Sequence, residues 1–404
     1  MKDFLSARFE PTNTGIKARD NIQRSLEAIR IHLGMEIAYL SEFSKGVSRF
    51  RNVDAPGFEH LLKPGDEMQL SDIYCNHILE GRLPQLIPDT SLEPLALALP
   101  ITKQLPIGKH VSAPITMSDG SVYGMFCCLG LQADVSLRDR DLEVLKAFAH
   151  LASLEIALEQ EASKTLHDRV DVIHDILDTA DIVIVYQPIW KIGTSRPVGF
   201  ECLSRFPQTP YLSPDKWFTE AADLGLGVAL EIVAIQQALQ VLPQLPSDMY
   251  LAINVSPATV LSGRLESVLE NVPPRQVVLE ITEHALVDDY DLLLSSLSAL
   301  RLRGFQLAVD DAGAGYSGLQ HILRLQPDLI KLDISLTRDI DSDVARKALA
   351  AALVSFARET GCRLVAEGVE TEAELRTLKS IGVEKAQGYF LGRPMPFSSA
   401  IQFT

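Results

Sequence analysis

Along this chain the spacing of apolar residues changes period several times, and each change marks an element. Ile22, Leu26, Ile29 and Leu33 recur at helical spacing until Gly34 stops the pattern, which predicts a helix over 22–33. The runs 37–43 and 47–53 then read as two strands, and 70–79 as a short helix. Five prolines between Gly81 and Gly108 (Pro84, Pro88, Pro94, Pro100 and Pro106) predict a loop without regular structure, wrapped over a pocket. Strands over 111–116 and 122–131 flank Ser118-Asp119-Gly120, a hairpin signal. Residues 1–140 thus read as a small α+β domain with an antiparallel sheet.

From Leu137 to Leu177 there is almost no Gly or Pro, and Leu142, Leu145, Ala149, Ala152 and Ile156 keep a 3,4 spacing. After a shift the stripe resumes as Leu158, Ala162, Leu166, Val170, Ile173 and Leu177. A single helix of about forty residues would run about 60 Å, longer than a domain needs for its own core. The segment 141–178 therefore reads as a signalling helix that pairs with its twin in a parallel homodimer, the heptad break acting as a stutter. Two ordinary helices, each capping one domain, are the other reading.

Beyond residue 180 short apolar runs alternate with helical patterns. Strand candidates fall at 182–189, 198–203, 250–255, 277–281, 307–311, 329–333, 363–367 and 385–390, with helices such as 290–303 and 344–360 between them. Eight such runs predict an α/β fold over 179–404, a (β/α)8 TIM-like barrel.

Composition narrows the chemistry. The chain has 404 residues, 47% hydrophobic and 22% charged, as expected of a globular protein of two or three domains. Its 53 acidic against 37 basic side chains give a formal net charge of -16, which repels DNA and anionic membranes. A phosphate ligand would have to bring metal ions or meet a local cation. The five cysteines form no CxxC pair, and Cys127 and Cys128 fall on opposite faces of one strand, so a reducing, cytoplasmic setting is expected. No signal-length apolar core opens the chain, and no run of about 18 apolar residues crosses a membrane.

The ends of the barrel strands carry a pattern that composition does not explain. Glu201, Asn254, Glu280, Asp310 with Asp311, Glu367 and Gln387 close successive strands, and Lys331 sits in the sixth. In a barrel these ends converge on one face. Crowded carboxylates cost several kcal/mol unless a cation holds them, so the ring points to metal ions. The donors are all oxygen, which favours Mg²⁺ or Mn²⁺ over Zn²⁺, and adjacent aspartates suit a pair of ions.

The segments YQPI (186–189), ECLSR (201–205), INVSP (253–257), LEITE (279–283), DDAGAGYSGL (310–319), KLD (331–333), AEGVET (366–371) and QGYFLGRPMP (387–396) resemble, in order, the EAL family of cyclic di-GMP phosphodiesterases. The resemblance implies that Glu201, Asn254, Glu280 and Asp310 hold one metal, and Asp310, Asp311 and Glu367 the other. It implies that Lys331 orients or deprotonates the attacking water, aided by Glu370 and Gln387, with Glu201 counted among the catalytic groups. Arg205 would touch a phosphate, with Gln187 and Gln387 as further substrate contacts, and Glu283 would anchor the loop after the fifth strand. The implied reaction opens cyclic di-GMP to linear pGpG with two Mg²⁺ or Mn²⁺ ions, Ca²⁺ inhibiting. A receptor that binds cyclic di-GMP without cutting it is the alternative.

The sequence departs from the family pattern at four positions. Cys202 stands for the Ala of the name motif, which is expected to matter little. In the loop after the fifth strand Ala312, Ala314 and Gly318 replace Phe, Thr and Ser, which is expected to loosen a loop linked to the dimer interface. The N-terminal segments 74–90 and 118–130 resemble a GAF sensor domain, whose small ligand the sequence does not identify. Cys75 as a chromophore thiol, or His77 or His110 as a haem ligand, is conceivable; a buried cysteine and surface histidines are expected instead.

Overall fold

The computed structural model describes residues 13–209, 211–281, 290–312 and 322–404. It divides into two compact units, one up to Arg169 and one from Val170.

In the first unit the strands β1 (Ile37–Ser44), β2 (Val47–Asp54), β3 (Glu67–Gln69), β4 (Leu86–Ile87), β5 (Lys109–Thr116) and β6 (Val122–Gly130) form an antiparallel sheet in the order β3-β2-β1-β6-β5-β4. The two-residue side-chain period sorts β6 cleanly. Phe126 and Cys128 face a layer with Ile22, Leu26 and Ile29 of the helix Asn13–His32, while Met125, Cys127 and Leu129 face the other. The proline-rich segment is more regular than expected. Pro94 and Pro100 each start a short helix, Pro94–Ala98 and Pro100–Gln104, because a fixed φ and a missing N–H cost nothing in a first helical turn.

A helix of 41 residues, Asp139–Thr179, forms where the Gly- and Pro-free stretch predicts it. Its apolar stripe, however, is spent inside the units. Leu145, Ala149, Ala152 and Ile156 are buried in the first unit's own core, and Ile173 and Ile176 pack with Ile182, Phe206 and Trp217 in the second. The buried part of the stripe read from the sequence as a pairing seam therefore caps each unit, while Leu158 of that stripe stays exposed. The other large apolar residues this helix exposes are Leu151 and Leu154.

The second unit is a closed barrel of β7 (Val183–Lys191), β8 (Pro197–Arg205), β9 (Tyr250–Asn254), β10 (Val277–Ile281), β11 (Gln306–Ala312), β12 (Leu329–Leu332), β13 (Arg363–Ala366) and β14 (Lys385–Ala386). β8 to β14 run parallel, but β7 is antiparallel to both its neighbours. The cause is the connection 192–196, which is long enough for a hairpin and too short for the crossover that parallel strands need. On β12 Leu329 faces the barrel interior and Ile330 and Leu332 the surrounding helices, so Lys331 points inward.

Candidate functional site

That inward alternation places Lys331 at the centre of the acids. Its Nζ lies 2.7 Å from Glu367 Oε1, 3.0 Å from Glu280 Oε2, 3.2 Å from Asp310 Oδ1 and 3.3 Å from Glu201 Oε1, and it is 1% exposed. Gln387 Nε2 donates to Glu201 Oε2 at 2.5 Å and to Glu367 Oε1 at 3.1 Å. Carboxylate oxygens of Glu201, Glu280 and Asp310 all lie within 4.8 Å of one another.

Two glycines fix the side of this ring formed after β13 and β14. Gly388 has φ +154°, and a Cβ there would sit 2.2 Å from the backbone of Val369. Gly368 has φ +65°, and its Cβ would sit 2.2 Å from Ile334. The close approach lets Val369 donate to the Gln387 carbonyl and Gln387 to that of Ala366, which brings the Gln387 amide to Glu367. On β11 the register shifts between Val309 and Ala312, so a bulge lies at the paired aspartates.

The electrostatics are those of a site that wants positive charge. Burial pushes Glu280 up to about 8 although Lys331 opposes the rise, and burial likewise holds Glu367 well above the usual carboxylate range. Burial alone would neutralise Lys331, but the surrounding carboxylates outweigh it and hold the ammonium protonated. One lysine thus faces four acids.

The other sequence-predicted residues are distributed as follows. Asn254 ends β9 and lines, with Arg205, Ser256 and Phe218, a cavity of about 580 Å³. Arg205 Nη1 donates to the Ser204 carbonyl at 2.8 Å. Gln187 is buried opposite Glu201 in the β7–β8 pairing, and its amide donates to the Gly392 carbonyl at 3.1 Å. Glu370 stands apart from the lysine-centred cluster: its carboxylate pairs with Arg338 at 2.9 Å, beside the half-exposed Tyr389 and Phe390. Asp311 lies on β11 with its side chain outside the described residues, and Glu283 is also outside them.

Glu231 is a residue the sequence reading missed. Its Oε2 accepts from the Ser256 backbone N–H at 3.0 Å and from the Ser256 hydroxyl at 2.9 Å, pinning the turn that follows Asn254. The available signal was its being the one charge in the apolar helix Gly227–Leu239.

In the first unit Cys75 is buried as expected, its thiol 3.8 Å from that of Cys127. His77 and His110 are buried rather than at the surface. His77 lies on the helix Tyr74–Leu79 and bonds the Ser71 carbonyl at 3.3 Å, while His110 lies in β5 between its neighbours β4 and β6.

Known proteins share this architecture. The EAL domain family model matches residues 171–394 and the GAF domain model residues 19–156. An uncharacterized protein of Sinorhizobium fredii is 28% identical over 83% of this chain and 41% of its own length. The bifunctional diguanylate cyclase/cyclic di-GMP phosphodiesterase MucR of Pseudomonas aeruginosa is 29% identical over 66% of this chain and 40% of its own. The chain therefore spans about two fifths of the length of these relatives. The solved PaMucR phosphodiesterase in complex with c-di-GMP aligns with 57% of this chain and 99% of that one, at 29% identity and a TM-score of 0.52. Among the described residues no helix is long and apolar enough to cross a membrane.

Proposed function

The chain belongs to the EAL domain family, and we propose that its barrel hydrolyses one phosphodiester bond of cyclic di-GMP to give linear pGpG. The observation that carries this reading is the buried convergence of Glu201, Glu280, Asp310 and Glu367 on Lys331. The donor set fits a hard divalent cation: the acids offer oxygen alone, and three of them present oxygens within one coordination sphere. Glu201, Asn254, Glu280 and Asp310 would hold one Mg²⁺ or Mn²⁺ ion, and Asp310, Asp311 and Glu367 a second. Bound there, the ions would polarise the phosphate and make water a better nucleophile.

The chain's own groups do the rest. Lys331, whose Nζ reaches Glu201, Glu280, Asp310 and Glu367, is placed to orient or deprotonate the attacking water. Gln387 splits its two N–H donors between Glu201 and Glu367 and so holds both carboxylates in place. Arg205, at the cavity beside Asn254, supplies the local cation that a chain of charge -16 needs for an anionic substrate. That cavity is large enough to take a nucleotide-sized part of the substrate. Glu370, paired with Arg338 beside exposed aromatics, serves the substrate's approach on this reading and not proton transfer.

The N-terminal unit is proposed to regulate the barrel within a homodimer, with the exposed Leu151, Leu154 and Leu158 as the seam in place of the buried positions of the stripe. The deciding experiment incubates the full chain with cyclic di-GMP and Mg²⁺ or Mn²⁺, separates products by chromatography, and repeats it in Ca²⁺. Release of pGpG with Mg²⁺ or Mn²⁺, and binding without release in Ca²⁺, is expected. Binding without product under every cation would make the chain a receptor instead.

A further inference from the structure

The first unit holds a partly open cavity of about 120 Å³ between its sheet and the short helices of the proline-rich segment. Tyr39, Phe50, Met68, Ile107 and Leu129 are among the side chains that line it, and among the described residues no lining side chain is charged. His110 also lines it, is 1% exposed, and has no hydrogen-bond partner among the described residues at either ring nitrogen. Of the other polar side chains in the lining, the Tyr74 hydroxyl is engaged with Thr102 at 2.7 Å and the Tyr39 hydroxyl with Cys75, while Gln104 is exposed at the mouth. An imidazole sealed from water with both nitrogens unused is costly, and a ligand that brings a polar group to it removes that cost.

We propose that this cavity is a binding site for a small neutral aromatic alcohol of the phenol class, its ring held by the apolar wall and its hydroxyl by His110. Size sets the first limit, since an apolar cavity of about 150 Å³ holds one benzene ring. The volume here is slightly smaller than that, which limits the occupant to a single small ring and favours it over a nucleotide or a tetrapyrrole. Charge sets the second: without a cationic side chain in the lining, a phosphate or carboxylate would be buried unpaired. Burial pushes His110 down to about 3, so at neutral pH its ring has one N–H donor and one acceptor. A hydroxyl also donates and accepts, and therefore matches either tautomer.

The test titrates the full chain with phenol, toluene and benzoate and reads the imidazole ¹⁵N resonances of His110 together with the thermal midpoint. Phenol should shift those resonances and bind at least tenfold tighter than toluene, and benzoate should do neither. His110→Phe should keep toluene binding and lose the preference for phenol. Equal affinity for phenol and toluene in the wild type, competition by benzoate, or an undiminished preference in His110→Phe would overturn the assignment. Should His110→Phe fail to fold, the wild-type ¹⁵N response decides alone: unmoved resonances at saturating phenol reject the site. The readout is binding, so it stands or falls apart from hydrolysis at the barrel.

Discussion

Two lysines of one barrel show how the same burial leads to opposite outcomes. Lys331 on β12 and Lys385 on β14 lie in one hydrogen-bonded row, each opposite Val365 of β13, and are 1% and 7% exposed. Four carboxylates surround Lys331 and raise it well above its ordinary value. Lys385 instead meets the Tyr250 hydroxyl at 3.2 Å and stands 4.5 Å from the centre of its ring. Burial, with Arg363 and Lys191 adding to it and Glu384 opposing, pulls Lys385 down to about 8. Tyr250 opens β9, whereas Glu280 lies towards the end of β10 and Glu367 just past the end of β13, so strand tilt separates the two ammonium groups into different layers. The upper layer is built to hold positive charge, and the lower one merely tolerates it.

Removing the upper lysine should have the largest effect. Lys331→Met leaves four buried acids without their cation, a loss of the kind that costs about 3–5 kcal/mol. In chelator the variant's melting point should fall well below the wild type's, and Mg²⁺ should restore more of it than it adds to the wild type. Turnover should drop by about 10²- to 10⁴-fold while affinity for cyclic di-GMP, measured in Ca²⁺, stays within a few fold. A variant as stable in chelator as the wild type would mean that the acids protonate at no cost, and the contrast between the lysines would fail.

Next in size is Glu201→Gln, which keeps the shape of the ring and subtracts one charge. The new amide can still accept from Lys331, but a flip of the Gln387 amide to meet it turns an oxygen toward Glu367 in place of the N–H that now donates there. Folding should therefore change by about 1–2 kcal/mol. Mg²⁺ affinity, followed calorimetrically, should fall tenfold or more and hydrolysis by at least about 10²-fold. Unaltered metal affinity would shift the cation site away from Glu201.

What the sequence made legible follows the same division. The ring was readable because strands alternate with period two and barrels gather their strand ends, so Glu201, Glu280, Asp310 and Glu367 needed only their positions in the order. The contacts among them were not, because Lys331 meets Glu201 across 130 residues of chain. The reversed direction of β7 was missed because apolar runs carry no sign of direction; the five-residue link 192–196 held that information. The stripe of the helix Asp139–Thr179 was read as a pairing seam since periodicity marks a buried face without naming what buries it. His110 was read as a surface histidine but is buried, because a histidine in an apolar strand reads alike whether it faces solvent or a cavity.

The smallest effect belongs to the lower lysine, and its sign is opposite. The folded value of Lys385, about 8, lies below the ordinary 10.5. Between those values the unfolded chain binds a proton that the folded chain does not, so stability rises with pH across that window and is flat with respect to this group below it. About 2.5 pH units at about 1.4 kcal/mol each put the cost of carrying the ammonium at neutral pH near 3 kcal/mol. Lys385→Met removes that cost but forfeits the contact with the Tyr250 ring and leaves its hydroxyl unpaired, together about 2 kcal/mol. At pH 7 the variant should thus be about 1 kcal/mol more stable than the wild type. Towards pH 10.5 the order should reverse, as the neutral amine keeps its bond to Tyr250. Both tryptophans, Trp190 and Trp217, lie in the barrel unit, so their fluorescence during urea unfolding reports on this unit at each pH. Turnover of Lys385→Met should match the wild type within about twofold, because this lysine lies outside the carboxylate ring. A gap between variant and wild type that stays constant from pH 7 to 10.5 would show that Lys385 is not the group paying for its burial.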